Sequence, residues 1–121
     1  MTRFLMALAV LASACDPRWS VSRSQLLRDP PPPSCIARAL ESYASISEVD
    51  PRPLNDGRSY RFRSNLGWGY VQLEKSASGH FELRASFSES GFSVPPDIDE
   101  EGPIYLDELL SYIRTRCAPA A

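Results

Sequence analysis

The sequence predicts an α+β domain: two helices packed on one face of an antiparallel sheet of three to four strands, in the order α-β-β-β-α. Apolar residues recur at intervals of three and four positions over 34–47 and again over 104–117, which is the spacing of one buried helix face. Between these segments, over 58–87, apolar and polar residues alternate in short runs separated by turn residues, which is typical of strands joined by hairpins.

The chain begins with the pattern of a secretory signal peptide, predicted over 1–14. Arg3 supplies a positive charge, Phe4–Ala12 is an unbroken apolar run, and the small residues Ser13 and Ala14 follow. The run is shorter than the roughly 20 apolar residues that span a bilayer. No second apolar run follows, so we expect no transmembrane helix in the mature chain. The alternative is a buried N-terminal helix of a cytosolic domain.

The residues at the end of this leader, Leu11–Cys15, resemble a bacterial lipobox. The resemblance implies that Cys15 becomes the mature N-terminus and carries a lipid anchor, in which each buried CH₂ of a chain such as palmitate contributes about 0.8 kcal/mol. It places the protein in the cell envelope, facing the periplasm. The alternative is ordinary cleavage near Ala14, which would release a secreted protein.

The chain has 121 residues, so removal of the leader leaves one small domain with a marginal core. With Cys15 lipidated, Cys35 and Cys117 remain as a pair, and an oxidising envelope favours one disulfide between them. Closing so long a loop would stabilise the domain by about 4 to 5 kcal/mol. The alternative is two free buried thiols. A net charge of −2 gives no indication of nucleic-acid binding.

Residues 15–33 carry the lipidated N-terminus and then Pro17 and a run of four prolines at 30–33, which predict an extended tether. The disulfide-stapled domain is then 34–117, and 118–121 form a tail. The first helix is predicted over Ser34–Ser47, with Ser34 as N-cap. Its apolar face is Ile36, Ala39, Leu40, Tyr43 and Ile46. Asn55-Asp56-Gly57 indicates the turn into the sheet.

Three strands are predicted from alternation, and the third is the most regular. Their inward residues are Tyr60 and Phe62 in the first, Val71 and Leu73 in the second, and Phe81, Leu83, Ala85 and Phe87 in the third. Residues 88–103 are expected to be irregular, with Phe92 and Val94 as a short edge strand. The second helix is predicted over Ile104–Cys117, with Pro103 in its first turn. Its apolar face is Leu106, Leu109, Leu110, Ile113 and Cys117.

The second strand predicts an exposed binding face, because its aromatic residues have the opposite parity to its aliphatic ones. If Val71 and Leu73 face the core, Trp68 and Tyr70 point outward. The arginines of the neighbouring strands share that parity: Arg61, Arg63 and Arg84. Exposed aromatic residues and arginine are enriched at interaction hot spots. The alternatives are a bulge at Gly69, which would turn Trp68 into the core, or a cover over Trp68 formed by the tether or the Phe92 loop.

The acidic segment 97–108 resembles the calcium loop of an EF-hand. Asp97, Asp99, Glu101 and Glu108 stand at its first, third, fifth and twelfth positions, and Gly102 stands at the sixth, where that loop turns sharply. The resemblance implies calcium as a cofactor and these four residues as metal ligands. The alternative is a solvated acidic segment that places negative charge before a helix N-terminus.

No arrangement typical of a catalytic nucleophile is present. No serine lies in GxSxG, His80 is the only histidine and is expected at a hairpin edge, and Glu74 and Glu82 could face each other across that hairpin. We therefore expect a non-catalytic envelope module that binds an unknown envelope protein. By analogy with other small, secreted, disulfide-stapled proteins, the more specific hypothesis is an inhibitor or immunity-type protein. A calcium-responsive module is the alternative, and an enzyme comes third.

Overall fold

The computed structural model of the protein describes residues 17–50 and 59–117. These ranges form five strands and two helices. In chain order the elements are β1 (Arg18–Leu27), α1 (Pro33–Ser42), β2 (Ile46–Val49), β3 (Ser59–Ser64), β4 (Gly67–Lys75), β5 (Phe81–Ser90) and α2 (Pro96–Cys117). The α+β class is confirmed. The predicted order and strand count are wrong, because the sheet contains five strands and begins before the first helix.

The strands form one open antiparallel sheet in the order β1-β5-β4-β3-β2. Both helices cover one side of it, the inner face, and share a single hydrophobic core with the inward side chains of the strands. The other side, the outer face, has no helix of the described residues over it. The predicted leader, Cys15, the turn at 55–57 and the tail 118–121 lie outside the described residues.

The segment predicted as a tether contains the first strand. β1 pairs with β5 along its full length, from Arg18 opposite Ser90 to Leu27 opposite Phe81. Its inward positions include the buried Trp19 and Leu27, but also Arg23 and Gln25. These two polar residues hid the alternation of the strand. Both side chains contact polar residues of α2 instead of the core. Arg23 Nε lies 3.8 Å from Asp107 Oδ2, and Gln25 Nε2 donates to Ser111 Oγ at 3.5 Å.

The first helix is shorter than predicted. It begins at Pro33, with Pro32 in the N-cap position and no side-chain cap, so Ser34 is not the N-cap. It ends at Ser42, where Tyr43 takes an extended conformation. A turn follows at 43–45, and the last two residues of the predicted helix, Ile46 and Ser47, belong to β2, which pairs with β3. Ile46 would face the core in the predicted helix, and it is also buried in the observed strand β2. Its helical spacing therefore did not distinguish a helix from a strand.

The three predicted strands are confirmed, and their inward residues form the core. Phe62, Val71, Leu83 and Phe87 are fully buried. β3 and β4 pair without interruption from Ser59 opposite Gln72 to Ser64 opposite Gly67, so the alternative of a bulge at Gly69 is excluded. β5 continues to Ser90, further than expected, and the segment with Phe92 and Val94 forms no strand.

Gly69 occupies an inward position between two aromatic residues. It pairs with Phe62 on one side and Phe87 on the other. A Cβ at this position would collide with the Phe62 ring, whose Cε1 would lie only 2.9 Å away. The missing side chain therefore leaves the space that the Phe62 ring occupies, and the two phenylalanine rings pack with centroids 6.0 Å apart.

The second helix begins well before the predicted start and ends at Cys117 as predicted. All five residues of its predicted apolar face are buried, together with Ile98 and Gly102 from the additional turns. A Cβ on Gly102 would be 3.7 Å from side-chain carbons of both Phe87 and Val21. The added turns therefore bring the helix close to β5 and to the edge strand β1.

The predicted disulfide is confirmed: Cys35 at the start of α1 is bonded to Cys117 at the end of α2. Two hydroxyl contacts continue this interface. Ser42 Oγ lies 2.7 Å from Tyr112 Oη, and Ser45 Oγ donates to Tyr105 Oη at 2.8 Å. From Cys35 to Ser45, the contacting residue in α2 moves from Cys117 back to Tyr105. The two helices are therefore antiparallel.

Candidate interaction face

Four of the five predicted binding-face residues lie together on the outer face. The strand register places Arg61 opposite Tyr70 and Arg63 opposite Trp68. Arg63 is exposed, and the other three are half-buried. We call these four residues the Trp68 cluster. The sequence located it because alternation in β3 and β4 fixes which side chains share a face.

Cation–π contacts hold the centre of this cluster. The Arg61 guanidinium carbon lies 3.9 Å from the centroid of the Trp68 ring, and that of Arg63 lies at 5.7 Å. Such contacts contribute about 0.5 to 1 kcal/mol at exposed sites. The two arginines therefore favour an orientation of the indole in which its ring lies against their guanidinium groups.

The fifth predicted residue, Arg84, does not belong to the cluster. It lies opposite Gln72, further along β4, and its Nη2 donates to Glu82 Oε1 at 2.8 Å. This hydrogen bond, together with the charges of Glu82 and Glu74, raises the pKa of the Arg84 guanidinium above its usual range. Arg84 thus already has a carboxylate partner, and the predicted face is smaller than the alternation suggested.

Two shallow depressions flank Trp68. One has a volume of about 330 Å³ and is lined by Glu48, Val49, Asp50, Arg61 and Trp68. The other, on the β5 side, has a volume of about 360 Å³. Its lining comprises Arg18, Arg61, Trp68, Tyr70, Ser88, Glu89 and Ser90. Both are open, so the site is a contoured surface rather than an enclosed pocket.

Sequence reasoning missed the part of this face that β1 and the end of β5 supply. Ser20 lies opposite Ser88, and Ser22 lies opposite Ser86. These small side chains form a low polar surface beside the aromatic cluster. The signal was visible as serine at every second position of 20–24 and of 86–90. Serine is common in loops, however, and β1 was not recognised as a strand.

The predicted calcium loop does not exist, because residues 97–108 all lie within α2. A helix rises about 1.5 Å per residue, so Asp97 and Glu108 are separated by about 16 Å and cannot bind one ion. Among residues 17–50 and 59–117, no three acidic, histidine or cysteine side chains are grouped to hold a metal. Asp97 and Asp99 instead occupy the first turn, where the helix dipole favours negative charge.

The residues weighed for catalysis lie at the opposite end of the outer face from Trp68. His80 is exposed beside the β4–β5 hairpin, with its Nδ1 3.2 Å from Ser78 Oγ. Glu74 and Glu82 face each other across the same hairpin, as expected, and Glu82 is paired with Arg84.

Burial affects tyrosines on the inner side of the sheet. Burial of the Tyr43 side chain away from water raises the pKa of its hydroxyl. Electrostatic interactions with the neighbouring Tyr105, Glu108 and Tyr112 raise it further. Burial also raises the pKa of Tyr105, while its hydrogen bonds with Ser45 and Ser64 act in the other direction. These hydroxyls lie between α1, β2 and α2, and we interpret their contacts as part of the packing of the helices.

Comparison with known proteins yields no family. No family model and no curated protein sequence matches this chain. Among solved structures, the crystal structure of Ara h 8.0201 aligns with a TM-score of 0.39 and 12% identity, covering 80% of this chain and 97% of that one. A protein of unknown function, SA2116 from Staphylococcus aureus, aligns with a TM-score of 0.27 and 9% identity, covering 85% and 91%. Likeness at this level supports no argument about function.

Neither helix of the described ranges combines the length and apolar character needed to cross a membrane.

Proposed function

We propose that this protein is a non-catalytic binding module of the bacterial cell envelope, anchored by a lipid on Cys15, that binds a partner protein through the Trp68 cluster. The observation that carries the proposal is the packing of Arg61 against the half-buried Trp68 ring on the side of the sheet opposite the helices. Tryptophan, tyrosine and arginine are the residue types that contribute most to protein interfaces.

The shape of the face supports a protein partner. The depressions beside Trp68 are open and shallow, whereas small-molecule sites are usually concave and bury most of their ligand. The serine rows on β1 and β5 offer hydroxyls to a polar rim, and polar rims surround the apolar centre of most interfaces.

A rigid scaffold suits the inhibitor or immunity-type version of this function. The disulfide joins the two helices beneath the sheet. The outer face therefore belongs to a domain whose two helices are covalently linked. Presenting a binding surface in a fixed shape lowers the entropy cost of association. The identity of the partner does not follow from these features.

The binding claim is tested by quantitative capture from solubilised envelope membranes of the native host. Wild type, Trp68→Ala and Arg63→Glu serve as baits, and Arg114→Glu is the charge-matched control, because Arg114 is exposed on α2. We expect one protein to be retained by wild type and the control and reduced at least tenfold with both outer-face variants. Equal capture by all four baits would overturn the proposal.

The anchor is tested by the intact mass of the protein purified from host membranes. We expect a chain that begins at Cys15 and carries acyl groups, and a Cys15→Ser variant that no longer fractionates with membranes. An unmodified chain that retains Met1 would contradict both export and lipidation.

A further inference from the structure

The first described residues of the chain are fixed beside the loop between β5 and α2. Gly91 N–H donates to the Pro17 carbonyl at 3.1 Å, and Arg18 pairs with Ser90. The indole of Trp19 packs against Gly91, where an added Cβ would lie 3.2 Å from Trp19 Cδ1. Trp19 itself is buried. The entry of the chain into the domain and the loop after β5 are therefore held together at one end of the sheet.

Phe92 projects from this end of the sheet. Its side chain is 95% exposed, more than Leu26 (69%) or Ile104 (62%), the other strongly exposed large apolar residues in the described ranges. Nothing in the packing of the domain requires a phenylalanine there. Single exposed apolar side chains are common on protein surfaces, but Phe92 follows directly after Gly91, whose N–H donates to the Pro17 carbonyl at the entry of the chain.

Cys15, which would carry the lipid anchor, lies very close in sequence to Pro17. Only Asp16 separates Cys15 from Pro17, and two fully extended residues span at most about 7 Å. The predicted tether would have held the domain away from the membrane. Because residues 18–27 belong to the sheet instead, no such spacer lies between the anchor and the domain.

From these observations we propose that the end of the domain carrying Pro17, Arg18 and Phe92 docks onto the lipid bilayer, with the Phe92 ring inserted at the level of the headgroups. This inference rests on the proposed lipidation of Cys15 and adds the orientation of the domain to it. The lipid tethers that end of the sheet, and Phe92 supplies a second apolar contact with the same surface. Because the anchor already keeps this end of the domain at the membrane, insertion of Phe92 is a local second contact that fixes the orientation of the domain.

Insertion rather than charge attraction accounts for the docking. This end of the molecule carries the exposed Arg18 and Glu89 on the sheet, and Asp97 and Asp99 where α2 begins. The charges are of both signs, so an anionic membrane gains little over a neutral one. We therefore expect similar docking on vesicles of phosphatidylcholine with and without phosphatidylglycerol.

The orientation has a consequence for the partner. The β3–β4 turn lies at the same end of the sheet as Arg18, because Gly69 pairs with Phe87 and Arg18 with Ser90 on β5. The Trp68 cluster next to that turn would then face sideways, close above the membrane. A partner that is itself held in or on the same membrane meets this face directly.

The experiment uses the lipidated mature protein reconstituted into these vesicles, with a nitroxide label on a single introduced cysteine. Ser93→Cys places the label beside Phe92, and Ser78→Cys places it on the β4–β5 hairpin at the far end of the sheet; both positions are exposed. Collisions of the label with oxygen and with a water-soluble nickel complex report its depth. The Ser93 label is measured with Phe92 and with Phe92→Ser, and the intact mass of each sample reports the lipid on Cys15.

We expect the Ser93 label to favour oxygen over nickel, the Ser78 label to show the reverse, and Phe92→Ser to return the Ser93 label to the aqueous value. A lipidated sample in which the Ser93 and Ser78 labels are equally aqueous would overturn the docking while leaving the anchor in place. A sample without lipid on Cys15 would overturn the anchor, and the docking with it.

Discussion

The two faces of the sheet differ in what their side chains contribute to folding. On the inner face, aromatic and aliphatic residues such as Phe62, Leu83 and Phe87 are fully buried under the helices. On the outer face, Trp68 and Tyr70 are only half-buried, and their neighbours are arginines and serines. The core does not need the outer aromatic residues. This contrast teaches that one parity of these strands encodes the core, while the other carries a surface that we propose for binding.

Loss of the disulfide should have the largest effect, and it should be confined to stability. The Cys35→Ser/Cys117→Ser double variant opens a cross-link between residues separated by 82 positions. We expect the free energy of unfolding to fall by about 4 to 5 kcal/mol, because the unfolded chain regains the entropy of that loop. Urea unfolding of the variant, and of wild type under reducing conditions, measures this. A loss below 1 kcal/mol in either would contradict the expectation.

Truncation of a core side chain should have the next largest effect. Leu110→Ala removes a fully buried side chain of α2, and we expect the free energy of unfolding to fall by about 2 to 5 kcal/mol. Leu26→Ala on the outer face is the matched control, because that side chain is 69% exposed, and we expect a change within about 0.5 kcal/mol. Equal losses for both leucines would remove the distinction between the faces.

A methyl group at Gly69 tests the packing within a single strand. Gly69→Ala drives a Cβ into the Phe62 ring, and overpacking of this kind costs about 1 to 3 kcal/mol. Gln72→Ala on the outward parity of β4 is the control, expected within about 0.5 kcal/mol. Thermal unfolding of both variants measures the difference, and a Gly69→Ala protein as stable as wild type would show that the Phe62 ring can move aside.

Truncation at the centre of the outer face should affect binding without unfolding the protein. Trp68→Ala removes the two cation–π contacts, each of which contributes about 0.5 to 1 kcal/mol, so we expect a stability loss of no more than about 2 kcal/mol. Circular dichroism and urea unfolding of the variant check this. A loss as large as that of Leu110→Ala would mean that Trp68 is part of the core and that its exposure serves no partner.

The smallest effect concerns the ionisation of Tyr43 beside the helices. Its pKa is raised by burial above the value of the unfolded chain. The folded state therefore holds this proton more tightly, and stability that is complete below pH 10 falls as the pH rises above it. We expect Tyr43→Phe to show a shallower loss of stability above pH 10 than wild type. Identical slopes in urea unfolding across that range would contradict this expectation.

Sequence reasoning could predict the central strands and the buried face of α2, because alternation in β3 to β5 and the apolar spacing of α2 are uninterrupted. It could not predict β1, where Arg23 and Gln25 take inward positions and contact α2 at Asp107 and Ser111. The Trp68 cluster followed from alternation alone. Its extension across β1 and the end of β5 did not, since it depends on a pairing between distant segments.

The acidic segment shows a second limit of local patterns. Alternating carboxylates followed by Gly102 fit a metal loop, but the same residues fit the first turns of a helix, where Ile98 and Gly102 face the core. The buried residues of this segment recur at helical spacing, and this spacing, rather than that of the carboxylates, matches the observed structure. A row of residues that could bind a metal therefore indicates a metal site only when the backbone also forms the loop that the motif requires.

The most direct test of the central claim is photo-crosslinking in the native host, with a photoreactive amino acid placed in turn at Tyr70 on the outer face and at Arg114 on α2. We predict that the Tyr70 position forms a crosslink to one envelope protein, that the Arg114 position does not, and that Trp68→Ala abolishes the crosslink from position 70. Crosslinks that arise from Arg114 instead, or that persist at position 70 without Trp68, would contradict the assignment of binding to the outer face.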